Sequence, residues 1–336
     1  MGVTLYRSTD ASAPSLTGQT GSLAALLDAC LVNGYGSKAA AGWSIAFTGT
    51  SKRSYLQASG HSGYYLDVDD SGPGAGTFKE ARMRGYETMS ALGTGTQAFP
   101  TSAQSSFGVG CRKSNTADAT ARPWYIVADG GTVYVFVDTG DYTAPNYSFG
   151  FYFGDFFSYK ASDPYGCAII GRSTENSATY AAEQIAQFSP PYPGATTTGT
   201  LAGHYLDRSY SGLGGSLPFG KFANSILAGM AVSASFPLAI AGACLTGSTG
   251  YTVNCPNGPD SAIELTPILI MQGSNIRGYL KGLWAPCHIQ PCGHGDTFTG
   301  NGNMTGKSFL ALNATGTLYS SQGLGQLIVE TSDTWS

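Results

Sequence analysis

Residues 124–137, WYIVADGGTVYVFV, decide the fold class of this chain. Two runs rich in β-branched and aromatic residues, WYIVA and TVYVFV, flank the tripeptide Asp129-Gly130-Gly131. Runs of this composition favour strands. Asp-Gly favours a tight turn, because glycine readily adopts the positive φ values that hairpin turns need. We therefore predict a β-hairpin over these fourteen residues.

The segment that follows, residues 147–159, reads YSFGFYFGDFFSY and has eight aromatic residues in thirteen positions. Rings on both faces of a strand require cover on both sides, from a second sheet or from another subunit. We therefore expect intersubunit contacts in this stretch and at a later tryptophan. The predicted interface residues are Tyr147, Phe149, Phe151, Tyr152, Phe153, Phe156, Phe157 and Trp284.

Asp155 lies in the middle of this aromatic run. A carboxylate in such surroundings needs hydrogen-bond donors, because an unpartnered buried charge is costly. It could act as an acid or a base. We favour a structural aspartate that accepts hydrogen bonds in a turn.

Upstream of the hairpin, residues 21–33 predict the one convincing helix. Their apolar side chains recur at three- and four-residue spacing, and glycines follow as stop signals. Ser22 can cap the start of this helix. Cys30, within the helix, and Cys167, in the run CAII, are expected to be buried thiols, which is usual for free cysteine.

A proline- and glycine-rich segment, residues 189–200 (SPPYPGATTTGT), predicts a linker or a long exposed loop. We place a domain boundary there, between residues 1–190 and residues 201–336. The expected fold is mainly β: two β-rich units, sandwich- or barrel-like, with the single helix packed on the first.

The composition of the 336 residues excludes several classes of protein. Only 11% of the residues are charged, against roughly 25% in an average protein, which disfavours long exposed helices. The 17 Lys and Arg residues and 21 Asp and Glu residues give a net charge of −4, which argues against nucleic-acid binding.

The most apolar stretch, residues 225–245, is interrupted by Pro237, so we predict no membrane span. The N-terminus lacks the apolar core of a signal peptide, so we expect cytosolic synthesis.

The sequence has no phosphate-binding, nucleophile-elbow or zinc-protease motif. We therefore predict no enzymatic activity and no cofactor.

The candidate metal ligands are Cys287, His288, Cys292 and His294. Zinc takes four nitrogen or sulfur ligands in a tetrahedron. Four ligands within eight residues, in a loop stiffened by two prolines, would be hard to arrange around one ion. We therefore predict no metal site, and leave open unlinked thiols or a Cys287–Cys292 or Cys244–Cys255 disulfide.

Five blocks of the sequence carry a resemblance to a known group of proteins. They are LYRSTDASAPSLTGQTGSLAALLDACLVNGYGSKAAAGW (5–43), DVDDSGPGAGTFKEARMRGYETM (67–89), TADATARPWYIVADGGTVYVFV (116–137), HGDTFTGNGNMTGKSFLAL (294–312) and ETSDTW (330–335). Together they resemble structural proteins of tailed-bacteriophage particles. The resemblance implies a virion component and no catalytic activity, cofactor or mapped site.

On this basis we expect a structural protein, made in the host cytoplasm, that forms permanent contacts with other particle proteins and with its own copies. A charge-poor, aromatic-rich chain suits such interfaces. We favour the head–tail neck or collar, or the tail. A second hypothesis is a receptor- or glycan-binding tail component, because tyrosine and tryptophan can stack on sugar rings. A third is a metal-dependent enzyme built on the cysteine and histidine cluster.

Overall fold

The computed structural model describes residues 2–72, 79–140, 149–172, 203–222, 256–273, 275–287, 291–314 and 325–335. The described chain is mainly β and sandwich-like with one short α-helix, as the sequence predicts. Within these ranges, no helix is long and apolar enough to cross a membrane.

The helical elements are α1 (Ser22–Leu27), the π-helical turn Asp28–Asn33 and the 3₁₀ turn Gly302–Met304. The strands, in chain order, are β1 (Thr4–Arg7), β2 (Ser44–Gly49), β3 (Lys52–Leu56), β4 (Tyr65–Asp69), β5 (Lys79–Tyr86), β6 (Thr88–Ala91), β7 (Thr94–Thr96), β8 (Val109–Ser114), β9 (Trp124–Ala128), β10 (Thr132–Val137), β11 (Phe149–Asp155), β12 (Phe157–Ser158), β13 (Cys167–Gly171), β14 (Gly203–Leu206), β15 (Leu217–Pro218), β16 (Gly220–Phe222), β17 (Leu265–Gln272), β18 (Asn275–Pro286), β19 (Thr297–Thr299), β20 (Ser308–Ala314) and β21 (Gly325–Glu330).

These strands form three main antiparallel sheets. The central sheet has the order β1-β9-β10-β11-β13-β14-β15, and a second sheet has the order β2-β3-β4-β5-β8. The third sheet has the order β16-β17-β18-β21-β20-β19, with β12 paired to β18. Strands β6 and β7 form a separate hairpin.

The central sheet is covered on both faces, because alternate side chains of its strands enter two different cores. Val133, Val135 and Val137 pack with helix α1 and the second sheet. Tyr134 and Phe136 pack instead with the third sheet. This two-residue period is the expected geometry of a strand. The chain is therefore layered, with the central sheet in the middle.

The predicted hairpin is confirmed as β9–β10, with Val133 paired to Ala128. The proposed backbone reason is wrong, since neither glycine of its turn has positive φ. The glycines are needed for space: a Cβ atom on Gly131 would lie 2.1 Å from His61 Nδ1. The imidazole packs directly on the turn, and only glycine allows that approach.

The predicted helix is confirmed, as α1 followed by the π-helical turn to Asn33. Its cap differs from the expectation. The Ser22 hydroxyl donates a hydrogen bond to the carbonyl of Thr17 and does not cap the helix. Asp70 Oδ2, 47 residues away in sequence, accepts hydrogen bonds from Leu23 N at 2.8 Å and Ala24 N at 3.3 Å. A side chain brought in by the fold therefore satisfies the helix start.

The predicted linker, residues 189–200, lies outside the described residues. The strands on either side of it belong to one sheet, because β13 pairs with β14. Strands β14 and β15 thus extend the central sheet, although they follow the predicted boundary. Among the described residues, the central sheet therefore includes strands from both sides of the predicted boundary. The third sheet is built from β12 and from the strands β16 to β21.

Candidate contact surface

Several large apolar side chains are at least about half exposed among the described residues. They are Phe107, Tyr159, Tyr210, Leu213 and Ile276. Three of them, Tyr159, Tyr210 and Ile276, line a single cleft with a volume of about 350 Å³. We call this surface the aromatic cleft. Its remaining lining residues are Lys160, Gln272, Asn275 and Arg277.

Pairing between β12 and the long strand β18 positions the first of these tyrosines. Phe157 pairs with Tyr279, and Tyr159 N then donates to the carbonyl of Arg277 at 2.9 Å. The Tyr279 ring lies 5.1 Å from the Phe157 ring and 6.0 Å from the Tyr159 ring. These aromatic contacts fix the side of the cleft that carries Tyr159.

Arg277 forms a rigid base for the cleft. The residue is only 3% exposed, and its guanidinium group donates to Asp163 Oδ2 at 2.8 and 3.1 Å. It also donates to the carbonyls of Tyr165 and Arg208. Burial acts to raise the pKa of Asp163, but hydrogen bonds from Ser158 and Arg277 outweigh it and lower that pKa. The arginine is therefore held beside an ionised carboxylate.

Hydrogen bonds also hold the opposite side of the cleft. Gln272 Oε1 accepts from Tyr210 N at 3.2 Å and from Arg277 Nη1 at 3.0 Å. Lys160 Nζ donates to the carbonyl of Tyr210. Lys160 is solvent-exposed, and the lining residues that the structure describes include no Asp or Glu. The cleft thus combines exposed aromatic and aliphatic side chains with hydrogen-bonding groups and an exposed positive charge.

The predicted interface residues fall in different places. Phe151, Tyr152 and Phe153 are completely buried between the sheets, and Phe156 is 4% exposed. The chain's own second and third sheets supply the cover that the aromatic run requires. These four side chains are core residues of this fold, which corrects their expected role as contact residues.

The other members of that set are more varied. Phe157 is partly buried beside the aromatic cleft, with Lys281 Nζ 5.5 Å from its ring centroid. Trp284 is 7% exposed and packs in a smaller apolar cluster of the third sheet, which corrects its expected contact role too. Tyr147 and the side chain of Phe149 lie outside the described residues.

Tyr159 ends the aromatic segment in which contacts are expected from the sequence, although it is not among the named interface residues. Tyr210 and Ile276 are cleft residues that the sequence analysis missed. One signal was available for Tyr210, which lies in the turn-rich segment RSYSGLGG (208–215), where an aromatic side chain has few buried neighbours. Ile276 is the second residue of β18 and carries no such signal.

The cysteine and histidine cluster is only partly described, because His288 lies outside the described residues. His294 Nδ1 accepts a hydrogen bond from Asn313 N at 3.0 Å, and burial lowers the pKa of its imidazole. Burial raises the pKa of the Cys287 thiol, with a further contribution from Glu264, so the thiolate is disfavoured. In the described part of the chain, no three His, Cys, Asp or Glu side chains are grouped to hold a metal ion.

Asp155 joins a loop of the second sheet to the central sheet. Its carboxylate accepts hydrogen bonds from Gln57 Nε2 at 3.0 Å and Ser62 N at 3.3 Å, and lies 3.4 Å from His61 Nδ1. Burial acts to raise the pKa of Asp155, but the His61 and Gln57 contacts and nearby Lys281 outweigh it and lower that pKa. These contacts hold the carboxylate between the loop that follows β3 and the end of β11.

The predicted buried thiols are confirmed, since Cys30 and Cys167 are both completely buried. Burial raises the pKa of both well above the ordinary value. The charged, nucleophilic form of each thiol is therefore disfavoured.

The amino-acid sequence was compared with protein-family models and with curated proteins, and neither comparison finds a match.

Proposed function

We propose that this chain is a structural component of a tailed-bacteriophage particle that acts by permanent protein–protein contact and not by catalysis. The aromatic cleft is the observation that carries this proposal. Exposed tyrosine and aliphatic side chains grouped at one place are typical of a protein interface. The resemblance of the five sequence blocks to virion proteins supplies the biological setting.

The rigidity of the cleft supports a permanent contact. Arg277 is fixed by Asp163 and by backbone carbonyls, and Gln272 holds the backbone of Tyr210. A surface that is already ordered loses little conformational entropy when it binds. Such a surface suits a building block that assembles once and stays in place.

The proposed partners are other proteins of the particle and further copies of this chain. The proposed location is the head–tail neck or collar, or the tail, after synthesis in the host cytoplasm. The net charge of −4 does not favour nucleic acid as a partner.

Mass spectrometry of purified particles of the encoding virus, after chemical cross-linking, tests this function. We expect the chain in stoichiometric amounts, with cross-links from Lys160 to neighbouring subunits. A Tyr159→Ala variant should be incorporated at least about tenfold less well, as for an interface hot spot. Absence of the chain from purified particles would contradict the proposal.

A receptor- or glycan-binding tail component is the second candidate, and the same cleft favours it. Tyr159 and Tyr210 expose 60% and 48% of their surface, beside the amide side chains of Gln272 and Asn275. Aromatic faces and amides together suit a sugar ring. Binding of host-envelope glycans by the wild-type chain, lost in Tyr210→Ala, would favour this candidate. An array without hits would remove it.

A further inference from the structure

A second cleft, of about 580 Å³, lies on the third sheet at the start of β17. Residues 260–265 form one wall and residues 298–304 form the other. Its volume falls within the range of roughly 300–1,000 Å³ that is usual for binding pockets. Two carboxylates, Asp260 and Glu264, line it, so we call it the acidic cleft.

The base of the acidic cleft is apolar. The Phe298 ring stacks on the buried Phe309 ring, with centroids 5.3 Å apart. Leu265 and Met304 pack against the same apolar cluster, which includes Trp284. A side chain bound in this cleft would therefore contact aromatic and aliphatic residues at its base and polar residues at its rim.

The rim is negatively charged. Asp260 Oδ1 accepts hydrogen bonds from Asn257 Nδ2 at 2.8 Å and Ala262 N at 3.1 Å. These hydrogen bonds lower the pKa of Asp260, so it is ionised at neutral pH. Asn257 Nδ2 also donates to Glu264 Oε1 at 3.2 Å. The described lining contains no lysine or arginine, so the cleft suits a guest that is apolar and cationic.

The aromatic cleft has the complementary character. Tyr159 and Ile276 are exposed apolar side chains, and Lys160 is an exposed cation next to them. We infer that the acidic cleft of one copy of this chain receives the Tyr159–Lys160–Ile276 surface of a second copy. This inference rests on the proposed contact function and names one of its partners. Lys160 would approach Asp260 and Glu264, and the apolar side chains would cover the Phe298 floor.

The positions of the two surfaces determine what such a contact can build. Leu265, the first residue of β17, lines the acidic cleft, and Gln272, the last residue, lines the aromatic cleft. At about 3.3 Å per residue, the two ends of this strand are roughly 23 Å apart. Each copy therefore offers both halves of the contact at separate places. Such head-to-tail contacts repeat from copy to copy and close into a ring or extend into a filament.

Charge reversal in the full-length chain tests this contact, with sedimentation velocity over a range of protein concentrations as the measurement. The wild-type chain should associate, and Lys160→Glu and Glu264→Lys should each weaken association by at least about tenfold, because like charges then face each other. The double variant K160E/E264K should recover association, because the reversed pair is again complementary. An equimolar mixture of the two single variants should recover it for the same reason.

Three further variants keep the result interpretable. Glu264→Gln keeps an oxygen for Asn257 and removes only the charge, so it should weaken association less than E264K. Asn303→Lys adds a cation at an exposed position of the cleft and should also weaken association. It replaces E264K as the test if E264K does not fold. Ser102→Glu changes the charge of an exposed turn outside both clefts and should leave association unchanged.

A wild-type chain that stays monomeric at all concentrations would overturn the inference. So would unchanged association in both single reversals, or a double variant that does not recover. The last two results would leave the proposed function standing, because contacts with other particle proteins do not depend on this pair of clefts. Absence of the chain from particles would instead remove the function, while self-association could still be measured.

Discussion

Residues 151–153 lie six to eight positions before residue 159 in one aromatic run, yet the two regions have opposite environments. Phe151, Tyr152 and Phe153 are completely buried, whereas Tyr159 is 60% exposed. Strand β11 lies in the middle of the central sheet and is covered from both sides. Tyr159 comes after the short strand β12, at an edge of β18. An aromatic residue thus belongs to the core or stays exposed according to what covers it.

The largest effect of this difference between interior and surface is expected at a buried ionisable group. Burial raises the pKa of the completely buried Asp207 to about 8, although a hydrogen bond from Tyr64 opposes the shift. A carboxyl group whose pKa is higher in the folded than in the unfolded state makes its full contribution to stability at pH values below the unfolded-state pKa. This contribution is lost as the pH rises through the folded-state pKa. The contribution of Asp207 to the unfolding free energy should therefore fall by roughly 5 kcal/mol between about pH 4 and pH 8.

Asp207→Asn is the matched variant, because it can still accept the hydrogen bond from Tyr64. Urea unfolding at pH 5 and pH 9 should show a much smaller pH dependence in this variant than in the wild type. The variant should also be the more stable of the two at pH 9. Equal pH dependence in both proteins would mean that the carboxyl group of Asp207 is hydrated in solution.

Deleting one ring from the interior should have the next largest effect. The Phe153 ring stacks on Phe99 at 5.9 Å and lies 6.0 Å from the ring of Trp43. Phe153→Ala should therefore lower the unfolding free energy by about 3–5 kcal/mol, the usual cost of such a truncation. Urea unfolding at one fixed pH measures this. A loss below about 1 kcal/mol would show that the site is not tightly packed.

Two adjacent aspartates allow a buried ion pair to be compared with an exposed one. Asp70 pairs with the buried Lys113, whereas Asp69 pairs with Lys52, whose side chain is 43% exposed. Lys113→Met should cost about 3 kcal/mol, because it leaves a buried carboxylate without its cation. Lys52→Met should cost less than about 1 kcal/mol. Equal losses in the two variants, measured by thermal unfolding, would contradict the difference in burial.

The smallest effect on stability is expected at the proposed contact surface. Tyr159→Ala should change the unfolding free energy by no more than about 0.5 kcal/mol, as for other exposed positions. The same variant should reduce incorporation into particles. A large loss of stability would instead mean that the Tyr159 ring packs as part of the fold.

The sequence predicted the strands better than their arrangement. The hairpin and the helix were recognisable because neighbouring residues determine their apolar periods. The cap of the helix was not, because Asp70, which accepts hydrogen bonds from Leu23 and Ala24, is more than forty residues away in sequence. The boundary at residues 189–200 had the composition of a linker. Composition could not indicate that β13 and β14 would pair across it.

The sequence by itself determined a charge-poor, aromatic-rich β protein with one helix and a hairpin at residues 124–137, since composition and local periodicity are sufficient for these features. Only the tertiary structure decided which aromatic residues are core and which are exposed, because that depends on sheets formed by residues distant in sequence. It also brought Tyr159, Tyr210 and Ile276 together at one cleft. Burial is a property of the neighbours that a side chain acquires on folding, and those neighbours cannot be identified from its own segment.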